Sequence, residues 1–282
     1  MTALPLKGIK LVSLALNVPG PVAAARLVAM GAACMKVEPP AGDPLKKVAP
    51  ALYESLSRGQ TIVTLDLKSE EGRKRLDDAL SGADLLLTSF RPSALARLGL
   101  DWVRLHRDFS RLCVVNIIGY PPPGVEIPGH DLTYQAKLGL LHPPQMPATL
   151  HADMSGAERA VSASLALLLD KARTGHVDCA QVSLFGAISD FALPRTAGLT
   201  VPGGPLGGGF AFYSLYRASD GWIALAALEP VFISRLAKEL GITSAFGQKD
   251  ARAELERIFA TRSAEEWEKW ADEHDLPIAK VK

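Results

Sequence analysis

Short apolar runs separated by segments with helical character recur through the first part of the chain, and this alternation limits the folds open to it. Residues 9–16 (IKLVSLAL) are a compact apolar run, as expected of a strand buried on both faces. Asn17-Val18-Pro19-Gly20-Pro21 breaks the run. Pro21 suits a first helical turn, because the N–H it lacks would have no partner there. Residues 22–30 continue as that helix, Gly31 stops it, and 33–38 form a second strand closed by Pro39-Pro40. The pattern repeats with a strand at 61–67, a helix opened by Ser69, a short strand at 85–87, helical stretches at 92–98 and 102–108, and a strand at 112–118. Strands joined through helices pair in parallel, with the helices crossing over the sheet. The expected fold class is therefore α/β, with a doubly wound parallel sheet covered on both faces.

The texture changes to Pro- and Gly-rich loop over 120–147. Asp153 or Ser155 can then cap a helix that buries Ala157, Val161, Leu165 and Leu168 along one face and ends at Gly175. Residues 182–188 fit either a strand or the start of a helix. The run VPGGPLGGG at 201–209 is the clearest linker, so a large domain over 1–200 and a small α/β domain over 201–282 are expected. In the small domain a hairpin over 210–227 turns at Ala218-Ser219-Asp220-Gly221. Helices follow near 231–240, 251–260 and 264–274, the last opened by a Ser263…Glu266 capping box.

Composition narrows the functional classes. A net charge of +1 leaves no electrostatic footprint for nucleic acid, and no apolar run reaches the length of a membrane span. Cys34, Cys113 and Cys179 are far apart and in apolar surroundings, which fits reduced thiols and a cytoplasmic protein. His142, His151 and Asp153 match no common metal spacing, so no metal is expected. The absence of GxGxxG and P-loop motifs counts against nicotinamide cofactors and nucleoside triphosphates. Trp267 and Trp270, at helical spacing, read as core.

Three residues stand out chemically. His130 lies in Pro128-Gly129-His130-Asp131, in a loop and not on an apolar face; an ordinary solvated histidine is the competing reading. Asp153 could be a plain helix cap, but a carboxylate there also lies beside backbone N–H groups that could steady an oxyanion. Glu229, before Pro230, is weak evidence alone. Lys68, Arg91 and Arg97 are candidate cations for phosphates, and Lys68 and Arg91 fall just past apolar strands, where open α/β sheets collect ligands. Surface charge is the bland alternative for each.

An ordered series of motifs carries a resemblance. It includes Gly8-Ile9-Lys10, Pro19-Gly20-Pro21, Lys36-Val37-Glu38-Pro39-Pro40, Thr64-Leu65-Asp66-Leu67-Lys68-Ser69, Phe90-Arg91-Pro92, Arg97-Leu98-Gly99-Leu100, Pro128-Gly129-His130-Asp131 and Ala152-Asp153-Met154-Ser155-Gly156. With these the chain resembles the family III CoA-transferases, which include formyl-CoA transferase, carnitine CoA-transferase and α-methylacyl-CoA racemase. The resemblance implies a Rossmann-like large domain, a smaller domain and an interlocked homodimer. It also implies a coenzyme A site lined by Val18, Leu65, Lys68, Phe90, Arg91 and Arg97, with no cofactor beyond the coenzyme A carried by the substrate. In transferases the aspartate matching Asp153 attacks the acyl thioester. In racemases that aspartate and a histidine exchange a proton at C2, and a glutamate orients the histidine. His130, Glu229 and the loop at 207–213 look racemase-like, so epimerisation of a 2-methylacyl-CoA is the first expectation. Transfer of CoA to a carboxylic acid is the second, and a silent CoA-binding relative the third. Three positions depart from the family pattern: Pro39 replaces a basic residue, Gln181 replaces an aspartate, and the sequence stops at 278–282 where relatives continue.

Overall fold

The computed structural model describes residues 4–242 and 248–282. The chain divides into two compact units, Met1–Phe191 and Ala192–Lys282, so the Gly-rich stretch at 201–209 lies inside the second.

Among the described residues of the first unit, six parallel strands follow the order β3-β2-β1-β4-β5-β6. They are β1 (Lys10–Ser13), β2 (Ala33–Glu38), β3 (Gln60–Thr64), β4 (Leu85–Thr88), β5 (Cys113–Ile118) and β6 (Cys179–Ser183). The chain winds outward from β1 to β3, returns to the centre, and continues outward from β4 to β6. This is the doubly wound Rossmann-like order, in which β1 and β4 are neighbours whose following connections leave in opposite directions.

The helices are α1 (Pro19–Ala29), α2 (Leu45–Val48), α3 (Pro50–Ser57), α4 (Glu70–Ser81), α5 (Pro92–Arg97), α6 (Trp102–Asp108), α7 (Asp131–Lys137), α8 (His151–Thr174) and α9 (Leu184–Phe191). Side chains alternate across the sheet and separate its two faces. Leu11, Leu85 and Leu87 pack with Leu27 of α1 and with Ala160 and Val161 of α8. Val12 and Leu86 pack with Leu76 and Leu80 of α4 and Leu105 of α6. Each fully buried leucine contributes about 1.5–3 kcal/mol, so these two apolar layers are what hold the helices to the sheet.

Local signals explain most boundaries. The Ser69 hydroxyl accepts the Gly72 N–H at 3.0 Å and starts α4; Gly175, at φ 77°, ends α8. The ambiguous stretch at 182–188 holds both forms, because β6 runs directly into α9. The loop expected over 120–147 contains α7, too short for its periodicity to show among the prolines. Cys34 and Cys113 are buried and Cys179 is half-buried; all three are free, and burial pushes the Cys34 thiol up to about 12.

The second unit starts with α10 (Leu193–Thr196) and holds an antiparallel sheet of β7 (Tyr213–Arg217), β8 (Trp222–Ala226) and β9 (Ile278–Lys280) in the order β7-β8-β9. Helices α11 (Pro230–Leu240), α12 (Gln248–Phe259) and α13 (Ala264–Glu273) complete it. Its core gathers Tyr216, Ile223, Leu236, Phe259 and Trp267. The capping box at Ser263 and Glu266 is present. β9 is three residues long and carries no periodic signal; pairing with β8 creates it. Among the described residues no helix is long and apolar enough to cross a membrane.

Candidate active site

The loops that leave β1, β4 and β5 enclose a cavity of about 380 Å³ at the switch point of the sheet. Asn17 and Pro19 come from the first loop, Ser89 and Arg91 from the second, and Gly119 from the third. The segment at 129–134 and α8 close it with His130, Tyr134 and Asp153. Two residues from separate parts of the sequence, His130 and Asp153, thus line one cavity.

Packing explains why a glycine precedes His130. Tyr134 is buried and packs edge-on to Tyr120, with ring centroids 5.1 Å apart at 86°. A β-carbon on Gly129 would lie 2.5 Å from Cε1 of Tyr134, and one on Gly119 would lie 2.6 Å from its hydroxyl. Only glycine lets both strands of the loop close over this ring. His130 itself is the extended N-cap of α7. Its N–H donates to the Thr133 hydroxyl at 3.0 Å, and that hydroxyl donates to the His130 carbonyl at 2.8 Å. The backbone is pinned while the imidazole stays exposed.

Asp153 does not cap α8. The helix begins at His151, and its own N-cap, Leu150, offers no side-chain acceptor. The cap comes from Asp131, far away in sequence: its Oδ1 accepts the N–H groups of Ala152 at 2.6 Å and Asp153 at 3.2 Å, while Oδ2 accepts the Gln135 amide at 2.5 Å. The reason is geometric, since α7 packs its first turn against the first turn of α8 and a buried carboxylate there serves both. Asp153 is left in the first turn with its carboxylate on the cavity, and among the described residues no group donates a hydrogen bond to it.

Burial, reinforced by the nearby Asp131 carboxylate, pushes the Asp153 carboxyl from the ordinary carboxylate range up to about 7. Folding therefore tightens its hold on a proton. The associated stability is present below the ordinary carboxylate range and is lost as pH climbs through about 7. Near neutrality the group can both hold and release a proton. Asp131→Asn keeps an oxygen for the two amides and removes the neighbouring charge. We expect this variant to shift the acid limb of a kcat/KM pH profile to lower pH, and an unmoved limb would show that Asp131 does not tune Asp153.

A second cavity, of about 180 Å³, lies beyond the ends of β2 and β3 and is lined by Pro39, Leu65, Lys68 and Phe90 among others. The six residues expected to line a coenzyme A site are thus distributed. Leu65, Lys68 and Phe90 share this cavity, and Arg91 lies on the first with His130 and Asp153. Val18 is the N-cap of α1, half-buried against the core, and lines neither cavity. Arg97, in the last turn of α5, also lines neither; hydrogen bonds from Ser93, with a smaller contribution from the Arg97 charge, hold the nearby Glu126 carboxyl below its usual range. Glu229 belongs to the second unit, as the N-cap of α11. Asp131, Tyr134 and Asn17 were not singled out by sequence. For Asp131 the one readable signal is its spacing of four from Gln135, which has many other meanings.

Residues 6–282 match CoA-transferase family III. The chain belongs to that family. It is similar to the cinnamoyl-CoA:phenyllactate CoA-transferase of Clostridium sporogenes, at 29% identity over 96% of this chain and 77% of that one. It is also similar to the α-methylacyl-CoA racemase of Homo sapiens, at 32% identity over 85% of this chain and 65% of that one. The crystal structure of the hypothetical protein Rv3272 from Mycobacterium tuberculosis matches with a TM-score of 0.87 at 25% identity, covering 100% of this chain and 86% of the other. Membership makes the chain an enzyme of the family III CoA-transferase and racemase group.

Proposed function

We propose that the chain moves coenzyme A between an acyl-CoA thioester and a carboxylic acid, with Asp153 as the nucleophile. One observation carries this reading: a desolvated carboxylate, free of hydrogen-bond donors among the described residues, faces a cavity at the switch point of the sheet. Such a carboxylate lacks the solvation that would blunt its attack. It adds to the thioester carbonyl, the C–S bond breaks, and the coenzyme A thiolate leaves an acyl–aspartyl anhydride. The thiolate then attacks the aspartyl carbonyl, which releases the first carboxylate and leaves aspartyl-CoA. The incoming carboxylate repeats the two steps in reverse and departs as the new thioester. Arg91 on the same cavity offers a cation for a carboxylate or phosphate, and the pocket of Leu65, Lys68 and Phe90 suits the remainder of coenzyme A. Similarity to a transferase along nearly all of the chain supports placing transfer first.

A second reading has its own observation, the presence of His130 on the same cavity as Asp153. The Asp153 carboxyl, held up near 7, and the imidazole beside it on the cavity could remove and return the C2 proton of a 2-methylacyl-CoA. The two readings separate cleanly. Mass spectrometry after incubation with acyl-CoA is expected to find an acyl or coenzyme A adduct on Asp153. Deuterium entering C2 from D2O with no adduct would replace transfer by epimerisation. Neither signal, across a panel of acyl-CoAs and carboxylic acids, would leave a protein that binds without turnover.

A further inference from the structure

The turn between β1 and α1 supplies one wall of the cavity and is tied by a hydrogen bond to a buried charged cluster. Asn17 has φ 67°, the left-handed region that glycine enters freely and asparagine more readily than most other residues. Its N–H donates to Oδ1 of Asp43 at 3.1 Å. That oxygen also accepts the Leu45 N–H at 3.0 Å. Asp43 is 1% exposed and belongs to a cluster that is buried almost completely. Lys36, 2% exposed, places its ammonium 2.7 Å from Asp43 Oδ2 and 3.0 Å from Glu38 Oε1. Glu38 Oε1 takes a hydrogen bond from the Tyr53 hydroxyl at 2.8 Å, and Oε2 takes one from the Asp43 N–H at 3.3 Å. The Lys36 ammonium also lies over the Tyr53 ring, 4.6 Å from its centroid.

Removing three charges from water is unfavourable compared with filling the same space with apolar side chains. The cluster is therefore poorly explained as a source of stability. What it does provide is direction. Lys36 and Glu38 sit on β2, locked in register with β1 (Ser13 opposite Lys36), and so hold the Asp43 carboxylate at a set place relative to the sheet. Asp43 in turn supplies the fixed acceptor for the Asn17 N–H. We infer that Asp43, oriented by Lys36 and Glu38, is a positioning residue that sets the 16–19 turn against the reacting groups of the catalytic cavity. The inference rests on the reading of that cavity as an acyl-CoA site.

The test compares Asp43→Asn with Tyr53→Phe. The first weakens the acceptor for Asn17 while preserving its shape; the second removes a bond from the same cluster without touching Asn17. Two readouts are taken: hydrogen exchange of the Asn17 amide relative to the core amide of Leu86, and affinity for acetyl-CoA by calorimetry. In Asp43→Asn the Asn17 amide is expected to exchange about tenfold faster than in the parent, against an unchanged Leu86, and the Kd for acetyl-CoA to rise about tenfold, as fits loss of a charge-assisted bond. Tyr53→Phe is expected to lower the melting temperature and leave both readouts as they were. Parental Asn17 exchange in Asp43→Asn would overturn the inference, as would Tyr53→Phe moving both readouts equally. If the parent fails to bind acetyl-CoA, the proposed function falls, while the exchange comparison still decides the role of Asp43.

Discussion

Replacing Asp153 by asparagine lowers kcat by at least about a thousandfold, whichever of the two reactions the cavity performs. The amide is nearly isosteric, so the cavity keeps its lining, but it is neither a nucleophile toward a thioester nor a group that gains and loses a proton near neutrality. The same change should not unfold the protein. Asp153 is ionised against the opposition of burial and of Asp131, and asparagine removes that opposition. The variant is therefore expected to match or exceed the parent in thermal stability at pH 8. It should also lose the decline in stability expected of the parent as pH climbs from the ordinary carboxylate range through about 7. Steady-state kinetics and melting curves across pH test both halves together. Turnover within tenfold of the parent would rule out both the covalent and the two-base reading.

Gly20→Ala is expected to destabilise the first unit by about 3 kcal/mol, near the upper end of what overpacking costs. Gly20 sits in the first turn of α1, where the helix lies directly on the residues that follow β1. A β-carbon there would overlap the β-carbon of Ala15, which is itself fully buried and rigidly attached to the backbone, so no side-chain rotation relieves the clash. For a unit of this size the melting temperature should fall by roughly 6–12 °C. Because Leu16, Asn17 and Pro19 all line the cavity proposed to take acyl-CoA, displacement of the helix start should also weaken acyl-CoA binding. Ala15→Gly in the same chain removes the opposing carbon and should restore most of the lost stability. A double variant no better than the single one would show that the close approach is not the cause.

Asp131, Tyr134 and Asp43 mark the limit of what could be read without coordinates. Each acts through a partner distant along the chain: Asp131 on the amides of Ala152 and Asp153, Tyr134 against Gly119 and Gly129, and Asp43 on Asn17. None carries a local pattern that separates it from a surface acid or a core aromatic. Asp153 illustrates the opposite failure. Its position near a helix start was readable, yet the cap expected from Asp153 or Ser155 comes from Asp131, because helix capping is a local rule that a neighbouring element can satisfy instead. The stretch at 182–188 was ambiguous for a related reason: a strand passing straight into a helix leaves no turn residue between them.

The alternation of apolar runs with helical segments determined the parallel doubly wound sheet, since strands buried on both faces need crossovers that cover them. Glycine, proline and capping serines determined most element ends, because backbone freedom and unsatisfied N–H groups act within a few residues. The tertiary structure alone decided that His130 and Asp153 face one cavity, that Asp153 is desolvated enough to titrate near 7, and that Asn17 is held by a buried carboxylate. Those properties depend on distance through space and on exclusion of water, and neither is a function of separation along the chain.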